Sequence, residues 1–312
     1  MFSIPFQLSR KTTIQKDITE VFRAVGDFQS WHRWSPWFCQ EPTCSITIEK
    51  TAGQVGHTQK WEGDLIGSGV ITISAVQSNE SLDYDLMFLK PWKSQSKVGF
   101  RFTRTSGGTV VEWWMQGSLP IFLFFMKKMM TAWVGSDYQR GLSMLKEHLE
   151  TGVVPTLTKV DGVVSRPARF FIGKRRMCGL SDIGPFMEKD LGDMERLAQR
   201  INLPKPMETF SIYHRFDMVK GECEYTTGYF YDSPTEPHAG FEVGNVPAHL
   251  ALRVEHQGAY RHLGNAWAAA MGCSRSKHKT NRRVPMYELY LNSPKDAAEK
   301  DLRVDIYVPV KR

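Results

Sequence analysis

The sequence predicts an α+β protein in two parts. The first is an antiparallel sheet around a long C-terminal helix, and the second is a strand–helix–strand–strand unit present twice. Three observations carry this. Residues 1–150 read as a series of strand-like segments closing in one stretch of helical spacing. Residues 165–312 repeat an order of elements, from about Ala168 to Tyr231 and again from about Ala248 to Val310. Between them, residues 151–164 carry Gly152, Pro155 and Gly162, the composition of a linker. A chain of 312 residues that is 41% apolar can supply two cores of this size.

Gln7–Ile14 reads as the opening strand. Asp17 caps a helix, with Glu20 at the capping-box spacing and Val21, Phe22 and Val25 as its buried stripe. Asp27 begins a second short helix that stops at Ser35-Pro36. Strands come next near Cys44–Lys50, His57–Leu65, Gly69–Gln77, Ser81–Lys90, Ser96–Arg104 and Thr109–Gly117, with Gly67-Ser68, Asn79 and Gly107-Gly108 at turns. From Pro120 to Glu150 the spacing is helical, and Leu142, Leu145 and Leu149 mark the late apolar face. A sheet closed on such a helix leaves room for an apolar ligand, with some tryptophans facing the cavity and others filling core. Trp113 and Trp114 must point to opposite faces, as must His57 and Glu62, which therefore form no acid–base pair.

The run Asp17-Ile18-Thr19-Glu20-Val21-Phe22, the turn Asp27-Phe28 leading to Trp31 and Trp34-Ser35-Pro36-Trp37, and Gly141 to Lys146 resemble the START-like helix-grip family. That family includes polyketide cyclases and dehydratases. The resemblance implies the fold over about residues 5–150 and transfers no catalytic motif.

In the second part, Ala168–Arg176 reads as a strand, Gly184–Ile201 as a helix, and Glu208–Phe216 and Glu222–Tyr231 as strands. Ala248–His256, Ala259–Met271, Pro285–Leu291 and Leu302–Pro309 repeat that order. Gln257-Gly258-Ala259-Tyr260, Trp267, Tyr287-Glu288-Leu289-Tyr290 and Asp305 to Val310 resemble the effector-binding domain of gyrase-inhibitory-protein-like proteins and multidrug-responsive transcription activators. The resemblance covers about residues 160–312. The activators place a DNA-reading domain ahead of this module, whereas here a helix-grip domain stands there.

Alternation along Met286–Leu291 puts Met286, Glu288 and Tyr290 on one face, lining a groove, and Tyr287, Leu289 and Leu291 on the other, under helices. A carboxylate between a thioether and a phenol suits a flat or lipophilic cation. The resemblance implies that Glu288 meets it. On the residues alone, a solvated Glu288, or one paired with Arg303, is the plainer reading. Tyr307 is expected to face the groove, opposite Val304, Ile306 and Val308, or else to cover a sheet edge. Tyr260 closes one end of the groove or packs as a staple. His214, matched to Glu288 across the repeat and sharing a face with Phe216, is either a partner for acid–base work or a hydrogen-bonded core histidine. With Trp267, these residues form the candidate ligand site.

The net charge of +7 is spread over both halves, and the basic run Arg275–Arg283 has no interleaved aromatics, so no nucleic-acid partner is expected. Five cysteines without a C-x-x-C point to a reducing compartment, hence the cytoplasm, and to no zinc knuckle. No metal-ligand spacing or phosphate loop appears, so no metal or cofactor is expected. No secretory signal is read, and the apolar run Leu119–Met126 is too short to span a bilayer, so no membrane insertion is expected. The leading reading is a protein that senses or sequesters a small hydrophobic, cationic or amphipathic molecule without a DNA-binding domain. The alternative is a hydrolase of small electrophiles, as the resemblance implies for some members, with Glu288 as its catalytic residue. A gyrase-type inhibitor would call for an acidic surface, which the basic balance opposes.

Overall fold

The computed structural model describes residues 3–311, which divide into two compact units between Val154 and Pro155.

In the N-terminal unit, β1 (Ser3–Ile14) is followed by three short helices, α1 (Ile18–Gly26), α2 (Phe28–Trp31) and α3 (Pro36–Gln40). Asp17 caps α1 through the Thr19 N–H (2.8 Å) and Asp27 caps α2 through the Gln29 N–H (2.9 Å). Pro36, in the first turn of α3, sets that helix's start. Then come β2 (Ser45–Glu49), β3 (Thr58–Glu62), β4 (Ser68–Gln77), β5 (Ser81–Lys90), β6 (Ser94–Thr105), β7 (Gly108–Pro120) and the long helix α4 (Lys127–Thr151). The strands form one antiparallel sheet in the order β1-β7-β6-β5-β4-β3-β2. The helix expected from Pro120 starts later, because Ile121–Met126 forms a 3-10 segment broken at Leu123 (φ −99°, ψ 16°).

Packed rings make up much of this unit's core. Trp113 stacks on Tyr138 of α4 (4.0 Å, 12°) and on Phe100 (4.8 Å), with Trp31, Trp34 and Trp37 edge-on around it. Trp114 faces the other way, under the Arg101 guanidinium. His57 is a core residue that stacks on Phe28 at 4.7 Å and accepts the Phe28 N–H. The Glu41 carboxylate anchors the β3–β4 loop by accepting the N–H groups of Asp64, Leu65 and Ile66 (2.8, 2.9 and 3.0 Å). Glu41→Ala is expected to cost about 1–3 kcal/mol in a denaturant melt, since those donors lose a charged acceptor.

The C-terminal unit comprises β8 (Thr156–Arg166), β9 (Arg169–Gly179), α5 (Ile183–Arg200), β10 (Glu208–Asp217), β11 (Glu222–Tyr231), β12 (Glu242–Val246), β13 (His249–Gly258), α6 (Leu263–Lys277), β14 (Met286–Tyr290) and β15 (Arg303–Val310). The stretch read as a linker is largely strand. β8 pairs with β13 along its length, and Gly162 (φ 117°) sits where the register slips between Arg253 and Val254. The glycine that suggested a linker serves a β-bulge. The sheet order is β12-β9-β11-β10-β14-β15-β13-β8, antiparallel throughout. The sequence β9–α5–β10–β11 is matched by β13–α6–β14–β15, each helix entered through a 3-10 turn (Leu180–Asp182 and Tyr260–His262).

Both helices lie on one face of this sheet. α5 packs mainly on β9 and β11, and α6 on β8, β13 and β15 through Ala266, Ala269 and Ala270. The central pair β10–β14 lies between them. The other face carries a cluster of Phe171, Phe210, Ile212, Phe230, Tyr287, Leu289 and Tyr307.

Candidate functional site

The strand register decides what floors the strip between the helices. Ser211 stands directly opposite Glu288, Tyr213 opposite Met286 and Thr209 opposite Tyr290, so these residues share the helix-bearing face. The expected alternation therefore holds for Met286, Glu288 and Tyr290. The helices, however, cover this face, and not the face of Tyr287 and Leu289.

Glu288 is 1% exposed. Its carboxylate accepts hydrogen bonds from the Tyr213 hydroxyl (3.0 Å), the Tyr290 hydroxyl (2.8 Å) and the Trp267 indole N–H on α6. The Tyr290 hydroxyl also lies 3.1 Å from Ser211 Oγ and 3.4 Å from Met187 Sδ on α5. Tyr213 and Trp267 meet edge to face at 5.3 Å over the acid. Tyr260 packs on Tyr290 at 5.8 Å and donates its hydroxyl to Asn292 O, marking one end of the strip.

All three donors to the carboxylate are neutral, and among the described residues no cation pairs with it. Burial pushes the Glu288 carboxyl above the ordinary carboxylate range, while the bonds from Trp267, Tyr290 and Tyr213 pull the other way and offset it only in part. The same burial, and the acid's charge, push the Tyr213 and Tyr290 phenols well above their ordinary value and Tyr260 up to about 12. The result is a buried carboxyl inside an aromatic frame, bonded among the described residues by neutral donors alone.

Three sequence-selected residues fall elsewhere. Ser211 and Tyr213 alternate onto the helix-bearing face, so His214 turns with Phe210 and Ile212 to the other face, where it is exposed at a bulge between Tyr213 and Arg215. His214 Nε2 lies 2.7 Å from Thr226 Oγ1, which donates to Glu242. Ser211, not His214, is the residue opposite Glu288. Tyr307 lies on the far face, stacked on Tyr287 (5.0 Å, 15°) with the Arg166 guanidinium 4.6 Å from its ring. Phe216 is 54% exposed and touches the site only through an edge contact with Tyr213 at 6.2 Å. Tyr213, Ser211 and Met187 were missed. Two surface cavities of the unit, about 370 Å³ beside Lys159 and Arg303 and about 560 Å³ beside Leu203 and Tyr231, do not include Glu288. Among the described residues no group of His, Cys, Asp and Glu is placed to hold a metal, and no helix is long and apolar enough to cross a membrane.

Residues 163–311 match the model of the GyrI-like small molecule binding domain, and residues 5–150 match that of the polyketide cyclase / dehydrase and lipid transport family. The chain joins these two domain types. Similar solved structures include protein MLL2253 from Mesorhizobium loti, at 16% identity over 48% of this chain and 100% of that one (TM-score 0.38). The Aha1 dimer from Colwellia psychrerythraea is 19% identical over 47% and 98% (TM-score 0.36). EcmrR in its complex with DNA is 15% identical over 59% and 66% (TM-score 0.41). No curated protein matches the chain. The Glu288 site lies wholly within the GyrI-like domain, a small-molecule-binding type.

Proposed function

We propose that the GyrI-like domain binds small hydrophobic molecules that are cationic or amphipathic, and that the protein senses or sequesters them in the cytoplasm without a DNA-binding domain of its own. The observation that carries this is the Glu288 carboxylate, buried with three neutral donors and no cation. A guest with positive charge supplies what the site lacks, and the faces of Tyr213, Trp267 and Tyr290 add about 0.5–2 kcal/mol per cation–π contact. Entry requires the partly exposed Tyr213 and Trp267 rings to part. The test is a titration of the full chain with a quaternary-ammonium aromatic dye and its uncharged isostere. Preference for the cation is expected, and equal affinity for both would sink the proposal.

The raised Glu288 carboxyl and its two phenols favour a second reading. A carboxyl whose burial favours the protonated form can donate that proton to a strained electrophile and then, as the carboxylate, activate water. Incubation with aromatic epoxides separates the two. The binding reading expects no turnover, whereas turnover abolished by Glu288→Gln, with the fold intact, would establish the hydrolase.

A further inference from the structure

We infer that the segment Ile121–Met126 of the N-terminal domain docks on an anionic lipid surface. Ile121, Phe122, Phe124 and Phe125 are 53%, 63%, 65% and 67% exposed, although they sit between β7 and α4 in a domain with ample core. Leu123 and Met126 are half-buried and tie the segment down, which leaves the other four side chains facing outward. Trp92, 65% exposed, belongs to the turn between β5 and β6. The pairing of Ser96 with Gly117 runs outward to that turn on one strand and to Pro120 on the other, so both apolar projections stand at one end of the sheet. Adjoining exposed rings of this size mark an interaction surface.

Charge selects the occupant. From Trp113 to Ser136 the chain has no Asp or Glu, and its only charged residues are Lys127 and Lys128. These lysines stand in the first turn of α4, where the helix dipole is already positive and no acidic residue offsets it. Lys93 adds a further cation in the Trp92 turn. Among the described residues, Lys93, Lys127 and Lys128 form no ion pair. A second copy of the chain would bring like charges together across a twofold contact. Aromatic side chains flanked by unpaired lysines instead suit the boundary between headgroups and acyl chains, with negative lipids supplying the missing charge. The segment lies on such a surface, and no described helix crosses it.

The test is co-sedimentation of the full chain with vesicles of phosphatidylcholine, with and without phosphatidylserine. Binding to the anionic vesicles, weakened by salt, is expected. Both the triple variant Phe122→Ser/Phe124→Ser/Phe125→Ser and the double variant Lys127→Glu/Lys128→Glu should bind roughly tenfold more weakly or worse. All five side chains are outside the packed core, so both variants should melt as the parent does. Three results would overturn the inference: no binding of the parent to anionic vesicles, undiminished binding by the triple variant, or self-association through the segment without vesicle binding.

Discussion

Glu288→Gln is expected to weaken binding of a lipophilic cation by roughly 30-fold or more, equivalent to about 2 kcal/mol, because it removes one partner of a buried charge pair. The same substitution should stabilise the empty protein. Glutamine can still accept from Trp267, Tyr213 or Tyr290, and it carries no charge to desolvate. The folded-state Glu288 carboxyl titrates above its unfolded value. Its contribution to stability is therefore fully present below the unfolded value and lost as pH rises through the folded one. At pH above that point the native glutamate is a liability, at about 1.4 kcal/mol for every tenfold difference in proton affinity between the folded and unfolded chain. Cation affinity runs the opposite way, since a bound cation favours the carboxylate. It should rise as pH increases through the raised value, with proton release on binding. Tyr213→Phe or Trp267→Phe removes a donor to the carboxylate and should move that rise to higher pH. Calorimetric titration in buffers of different ionisation enthalpy reads both the affinity and the proton count. An affinity independent of pH, with no gain in melting temperature for the glutamine variant, would show that Glu288 is not the counter-charge.

Period and composition made part of this site legible in the sequence. Alternation placed Met286, Glu288 and Tyr290 together because β14 has no irregularity. It failed at His214 because that residue alternates with Phe210 and Ile212, whose apolar face was taken to line the groove but lies away from the helices. It failed at Tyr307 because β15 is buried on both faces, so its alternation carries no contrast. Met187 had a usable signal. It comes five residues after Asp182, as Trp267 comes five after His262, and each sits at the matching place in its helix. Aligning the two copies on their helix entries, and not on the pairs Tyr213-His214 and Tyr287-Glu288, pairs a thioether with the indole. Ser211 stands opposite Glu288 through the strand register, which no alignment of the copies supplies. In the N-terminal domain the tryptophans were read as shared between core and cavity, but composition alone could not assign Trp31, Trp34 and Trp113 to the core, where they pack with Tyr138.

Asp190→Ala is expected to destabilise the C-terminal domain by about 3 kcal/mol, near the lower end of the range for breaking a buried ion pair. Asp190 is fully buried on α5 and takes both Nε and Nη2 of Arg176 (2.6 and 2.5 Å) together with the Tyr225 hydroxyl (2.9 Å). The lower end applies because Arg176 retains some contact with solvent and stacks on Phe186 at 4.5 Å, so its charge is not stranded. Asp190→Asn keeps a partner for Tyr225 and should cost less, while Tyr225→Phe removes one hydrogen bond, at about 1 kcal/mol. The loss should also reach the site. Met187 stands one helical turn before Asp190 and meets Ser211 and Tyr290 from α5, so the ion pair holds one wall of the strip over β10 and β14. A variant that unfolds at lower denaturant but binds the cationic dye as the parent does would mean that the wall is set by Met187 packing alone. Weaker binding in step with the lost stability would make the Asp190–Arg176 pair the brace on which the Glu288 site is built.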